Sequence, residues 1–389
     1  MKTQSKFAKL AILILTGSLL LSVSTLANAK SDALAAIYTS AATVPTNIPG
    51  MHTYAEPPKG FNPVAATDVE LATYGFPPLP DKQANPGHYA LWERAMQAAR
   101  IRWNGELKSL PGGGQGMNQS SRSPLPEAVH PNASPAQVQT VNASGVMLFN
   151  KQTKWGKASF NNVYTEISVP VAELAFDYSG IGCSDVGFSQ VNAAGIDAFS
   201  PTTETNNPAI VPNLQGGVVE EVSCEGNASY YAFAAWENPF TPVAAFAVNP
   251  GDTFYTEVLA FGPSTNGSVF IEDMTTLTYN SYSISAPGII GFSANWLVYR
   301  YCCDGPNPYG LFPLANTIST FFDYGAAENG NGAIFYPGSQ ASSTEILTMM
   351  DDGGDQETEI VNQGSSGYEG EHALYFQTVG CAYSGGCTP

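Results

Sequence analysis

Beyond residue 140 apolar and polar positions alternate in short runs, the period-two pattern of half-buried β-strands. The clearest runs are Thr253 to Phe261, Ser268 to Ile271, Leu277 to Ile284, Thr317 to Phe322 and Ala373 to Phe376. Turn-forming residues punctuate them at Asn249 to Asp252, Asn266-Gly267, Pro287-Gly288 and Asn329 to Gly332. Because no helical pattern intervenes, the runs predict an all-β domain over residues 140–389, with antiparallel sheets packed as a β-sandwich.

The chain before it follows another pattern. Residues 30–83 are rich in Pro, Ala and Thr with little periodicity, and they read as extended, poorly packed chain. From there Leu91, Trp92, Ala95, Ala98, Ala99, Ile101 and Leu107 interleave with Arg94, Arg100, Arg102 and Lys108, which predicts a basic amphipathic helix over about 89–110. Pro111 to Gly114 ends it, and a Pro-marked linker follows, so residues 30–139 form a partly helical N-terminal segment.

At the start, Lys2, Lys6 and Lys9 precede an apolar run from Leu10 to Val23 and then Ala27-Asn28-Ala29. This is the charge, core and small-residue order of a signal peptide, predicting removal of 1–29 and a secreted or periplasmic protein. The apolar run is shorter than the roughly 20 residues a bilayer span requires, so no membrane association is expected after cleavage.

Charge sharpens the division between the two parts. From Lys30 to Gln139 eight Lys and Arg balance eight Asp and Glu, whereas from Thr140 onward only Lys151, Lys154, Lys157 and Arg300 oppose 25 acidic residues. Such an anionic surface argues against nucleic-acid partners and suits an acidic medium. It also lets the basic residues of the N-terminal segment dock on the acidic domain, either as a removable prosegment or as a permanent accessory.

All six cysteines lie beyond residue 180, and in an exported chain they point to disulfides. The acidic turn from Met349 to Glu359 lacks calcium-loop spacing and reads as a solvated hairpin. No metal or other cofactor is implied, and a monomer is expected. Nucleophile elbows, zinc-binding helices and phosphate loops are missing, and His372 is the sole histidine after residue 140. A Ser-His-Asp or zinc hydrolase is therefore not indicated.

A series of short motifs does carry a signal. In order come Asn142 to Gly145, Ser168 to Pro170, Gly195-Ile196-Asp197, Asn213 to Gly217, Tyr230 to Trp236, Pro250 to Asp252, Ser293 to Val298 and Ile318 to Gly325. In order and spacing these resemble the glutamic peptidases, or eqolisins. The resemblance implies a concanavalin-like sandwich and a secreted acid endopeptidase with a Gln and Glu dyad, in which the carboxylate activates water and the amide stabilises the oxyanion. Gln215 falls on the family's Gln. At the position of the Glu this chain has Asn295, whose amide can hold a water but cannot take its proton.

The same resemblance makes Asp197, Tyr231, Phe233, Trp236 and Glu237 expected cleft-lining residues. Three readings stay open: a non-catalytic relative that binds peptide or polysaccharide; a peptidase rescued by a displaced carboxylate at Glu237, Glu220 or Glu221; and a carbohydrate-active or structural sandwich. The leader yields its own test. Intact-mass analysis of the exported protein should place its N-terminus at Lys30; a mass retaining residues 1–29 would remove the export reading.

Overall fold

The structure is a computed structural model that describes residues 32–97, 100–110, 136–140, 143–150, 154–174, 187–200, 209–237, 243–262, 266–300, 314–338, 344–350, 356–362 and 374–378. The N-terminal segment contributes a helix α1 over 32–40, strands β1 (Thr43–Pro45) and β2 (Met51–Tyr54), helices α2 (Asp68–Thr73) and α3 (Pro86–Gln97), and strands β3 (Ile101–Arg102) and β4 (Lys108–Ser109). The remaining strands are β5 (Ala136–Thr140), β6 (Ala143–Phe149), β7 (Phe160–Ser168), β8 (Phe188–Ser200), β9 (Ala209–Val222) and β10 (Ala228–Glu237). They continue as β11 (Val243–Ala247), β12 (Thr253–Ala260), β13 (Asn266–Asp273), β14 (Thr278–Ser285) and β15 (Ser293–Tyr299). The last five are β16 (Ser319–Asn329), β17 (Ile334–Phe335), β18 (Thr344–Met350), β19 (Gln356–Asn362) and β20 (Leu374–Thr378).

Pairing is almost wholly antiparallel and folds into two layers, the sandwich expected from the alternation. One layer runs β2-β14-β13-β12-β7-β16 and the other β18-β6-β15-β8-β9-β10-β11. At one side β19 and β20 join them. Strand alternation sends Leu214, Val218 and Val222 of β9, Phe254 and Val258 of β12, Val269 and Ile271 of β13 and Trp296 of β15 into the shared core. Asn266-Gly267 begins β13 rather than making a turn: a Cβ on Gly267 would stand 2.1 Å from Leu214 Cδ2, so the glycine is there for close packing of the layers.

The N-terminal segment is far better packed than its composition suggests. Thr67 and Glu70 close a capping box on α2. At α3 Asn85 accepts the His88 N–H, and Pro86 sits in the first turn, where its missing N–H costs nothing. Leu71, Phe76, Leu91, Trp92, Ala95 and Met96 then bury against Tyr164, Tyr255, Phe270 and Tyr279 on the outer face of the first layer. The helix predicted over 89–110 begins earlier and gives way to strand, because Ile101 and Arg102 pair in parallel with β14 and Lys108 and Ser109 pair with β11. Edge hydrogen bonding overrides helical propensity there. The sandwich likewise starts at Ala136, where β5 adds to β18.

Ion pairs tie the two parts together. Arg94 pairs with Glu166, and Arg100 meets Glu272 at 2.8 Å with both side chains buried. Arg102 instead binds Thr53 and the Tyr54 carbonyl, within the segment, and Lys108 lies 5.6 Å from the centre of the Tyr231 ring. His88 bonds Glu257 at 3.1 Å and stacks on Tyr164. Burial pushes the Glu272 carboxyl up to about 7 despite Arg100. Burial opposes protonation of His88, but Glu257 and Glu328 outweigh it and raise the ring to about 9.

Both raised values act in one direction: their stability is complete below the unfolded pKa of each group and is lost as pH rises through about 7 and about 9. Thermal denaturation midpoints should therefore fall between about pH 5 and 9. In Arg100→Met an ionised Glu272 is left unpaired in the core, a loss of about 3 to 5 kcal/mol at pH 8. Urea titration should find a much smaller loss at pH 5, where the carboxyl is protonated; equal losses at both would contradict this account.

Candidate active site

Strands β9, β8 and β15 lie side by side, with Gln215 opposite Gly195 and Gly195 opposite Asn295. Residues directly opposite in a ladder project from the same face, so Gln215 and Asn295 share a face two strand spacings apart, roughly 10 Å between Cα atoms. The face is the outer one of the second layer, since Leu214 and Trp296, their neighbours in sequence, enter the inter-layer core. Gly195 puts no side chain between them. A Cβ there would stand 2.4 Å from Asn213 Oδ1 and 3.0 Å from Gln215 Cβ.

Hydrogen bonds fix how each amide is turned. Gln215 Oε1 accepts from Asn213 Nδ2 and from the Tyr299 hydroxyl, both at 3.0 Å. Its Nε2, with two N–H donors, has no partner. Asn295 Nδ2 donates to the carbonyl of Gly195 at 3.0 Å and to that of Asp197, which leaves Asn295 Oδ1 unpartnered. Asn213 Oδ1 is also unpartnered, and all three side chains are fully buried. An unmet buried polar atom costs about 1 to 3 kcal/mol, so three around one glycine mark a place that a hydrogen-bonding guest would satisfy.

Asp197 positions this row. It has φ 66°, rare for a residue other than glycine, where β8 bulges before Phe199. Its carboxylate accepts the N–H groups of Ile290 and Phe292 at 2.8 and 2.9 Å. Burial raises its pKa to about 6, although four backbone amides from residues 290–293 pull the other way. The turn before β15 is thereby held to β8, and the Asp197 carbonyl holds Asn295.

The other expected residues divide between faces. Phe233 buries in the apolar cluster on the Gln215 face, with Met147, Ala235, Leu297 and Tyr299, and Tyr231 packs against it. Leu110 of the N-terminal segment joins the same cluster. Trp236, by contrast, packs against the inter-layer core. Glu237 is paired with Asn213, which puts its backbone on β10 one strand from the Gln215 row; its side chain lies outside the described residues, as does His372.

Glu220 is corrected as a displaced base: the odd residue count from Gln215 turns it to the opposite face, where it accepts from Asn192 at 2.7 Å. Glu221 faces the same way as Gln215 but six residues further along, roughly 20 Å away. Among the described residues no cluster of three or more His, Cys, Asp or Glu could hold a metal. Cys224, the one cysteine in the described residues, is disulfide-bonded. Gly195 and Asn213 stand inside the motifs that carry the resemblance but receive no role from it, and Tyr299 stands just beyond them. Period-two spacing from Gln215 would have found Asn213; Tyr299 needed the β15 to β8 to β9 register.

The fold is an antiparallel sandwich with Gln215 and Asn295 on its outer face, and comparison with known proteins gives the class. The model of the Peptidase A4 family matches residues 141–367, and the chain belongs to that family. No curated protein sequence matches it. Among solved structures, scytalidoglutamic peptidase with a transition-state analogue inhibitor aligns at 18% identity and a TM-score of 0.44, covering 61% of this chain and 98% of that one. The aspergilloglutamic peptidase of Aspergillus niger aligns at 22% identity and a TM-score of 0.37, covering 49% of this chain and 99% of its own.

Asn295 can be tested by one atom. In Asn295→Asp a carboxylate would face the two carbonyl oxygens that now accept the amide, so its folded pKa rises. The stability deficit, about 1 to 3 kcal/mol, should be full at pH 7, shrink as pH falls through the raised folded pKa, and be gone by about pH 4, the unfolded value. Denaturation at both pH values checks this, and an undiminished stability at pH 7 would refute the assigned amide orientation.

Proposed function

We propose that this is an exported glutamic-peptidase relative that retains a polypeptide-binding site on the outer face of the second layer while its endopeptidase activity is lost or strongly reduced. One observation carries the reading: Gln215 Nε2 is an unpartnered donor and Asn295 Oδ1 an unpartnered acceptor, two strands apart across Gly195. A peptide group offers the complement, a carbonyl to accept from Gln215 and an N–H to donate to Asn295. Tyr299 and Asn213 occupy the Gln215 carbonyl oxygen and so leave its N–H donors uncommitted, the group that would stabilise an oxyanion.

The missing part is the base. Asn295 takes no proton at working pH, and general acid-base assistance contributes about 2 to 4 orders of magnitude. Family membership supports a polypeptide ligand, and the signal-like leader and acidic composition support work outside the cell in an acidic medium. A second reading rests on Glu237, whose register next to Asn213 puts a carboxylate-bearing residue within one strand of the dyad row.

The purified protein should be assayed on a denatured protein between about pH 2 and 5, where a carboxylate base titrates. We expect cleavage at least 100-fold below that of Asn295→Glu, together with peptide binding that weakens in Gln215→Ala. Efficient cleavage abolished by Glu237→Gln would establish the second reading instead. Absence of peptide binding in the wild type, with unchanged folding, would remove the proposal.

A further inference from the structure

A second polar centre lies on the far side of the molecule, between the N-terminal segment and the first layer. Its organiser is Glu257, a buried carboxylate on β12. One oxygen, Oε2, accepts from the Tyr255 hydroxyl and meets His88 Nε2; the other, Oε1, accepts from Asn162 Nδ2 at 2.8 Å. A single carboxylate thus anchors a histidine from α3 and an asparagine from β7.

Each anchored residue has one polar atom left over. His88 Nδ1 and Asn162 Oδ1 have no hydrogen-bond partner, and both residues are more than nine-tenths buried. Glu328 Oε1, which accepts from Asn85 at 3.2 Å, makes only a long ion pair with His88 Nδ1, at 3.6 Å and beyond hydrogen-bond reach. As an imidazolium, His88 presents a donor there. Asn162 presents an acceptor.

Both residues line one cavity of about 270 Å³, which α1 closes through Ala35 and Tyr38. That volume lies just below the roughly 300 to 1,000 Å³ of pockets for drug-sized ligands and suits a guest of about one ring. Asp32, Asp81 and Glu328 add carboxylates, which disfavour phosphate and carboxylate guests, while Trp155 and Phe261 add aromatic surface. A guest must therefore accept from His88, donate to Asn162 and the carboxylates, and offer an apolar side. A hydroxyl group does the first two at once, and a pyranose ring combines several hydroxyls with an apolar C–H face.

We propose that this cavity is a binding site for a single sugar unit, free or at the end of a glycan, separate from the peptide site around Gln215. Its existence does not depend on whether the Gln215 site cleaves or binds peptides.

The test is calorimetric titration of the full exported protein with D-glucose, D-galactose, D-mannose and N-acetyl-D-glucosamine, with putrescine and inorganic phosphate as controls. At least one sugar should bind at one site per chain. Ala35→Trp, which adds bulk to the cavity from α1 and leaves His88 and Asn162 unchanged, should abolish that binding, and Asn162→Leu should weaken it at least tenfold. Thermal denaturation verifies that each variant folds. If Asn162→Leu fails to fold, Ala35→Trp alone decides. Gln215→Ala should leave the titration unchanged. The proposal is overturned if no sugar binds below about 10 mM, a strength of under 3 kcal/mol, if putrescine or phosphate binds and the sugars do not, if Ala35→Trp binds as the wild type does, or if Gln215→Ala abolishes binding.

Discussion

The alternation of side chains along three adjacent strands governs the molecule's chemistry. On β9, β8 and β15 every second residue enters the inter-layer core and every other one meets the outer face. Leu214 and Trp296 fix that phase by burial, so Gln215 and Asn295 have no choice of face. A slip of one residue in either pairing would move an amide into the hydrophobic interior and an indole or isobutyl group out of it. The register is thus stabilised by the core and read out by the site, with Gly195 keeping the space between the amides clear.

That dependence separates two kinds of site residue. Gln215 and Asn295 each keep an unpartnered amide atom; Asp197, Tyr299 and Asn213 determine which way the amides turn. Asp197 does so through a strained backbone and a carboxylate that accepts the N–H groups of Ile290 and Phe292 in the turn before β15. An amide between two carbonyl oxygens is a chemically consistent occupant of position 295. Asn295 therefore fits its surroundings, which would resist an Asp at the same position.

Much of this was legible in the residue pattern, for physical reasons. Period-two alternation is local, so the runs at Thr253 and Leu277 predict β12 and β14 to within a few residues. The ordered motifs singled out Gln215 and Asn295, which the register places on one face of three adjacent strands. Illegible were features that depend on a distant partner. Ile101 and Lys108 continue a helical pattern but become strand, since the open edges of β14 and β11 offer them hydrogen bonds. His88 reads as one polar residue on an amphipathic helix; its burial against Glu257 joins positions 169 residues apart. Trp236 was grouped with Phe233 by motif, yet strand alternation sends it to the opposite side.

The docking of the described residues between 32 and 110 has a consequence for what constitutes the folding unit. The family match spans 141–367, but a chain trimmed to those bounds would lack β2, β3 and β4, leaving β14 and β11 with unpaired edges. It would uncover the Tyr164, Tyr255, Phe270 and Tyr279 surface and leave Glu257 and Glu272 without their cations. Open edges beside an uncovered aromatic face are the ingredients of intermolecular sheet growth. A piece trimmed to the family match is therefore expected to self-associate, because the N-terminal segment covers these edges and this face as well as attaching to them.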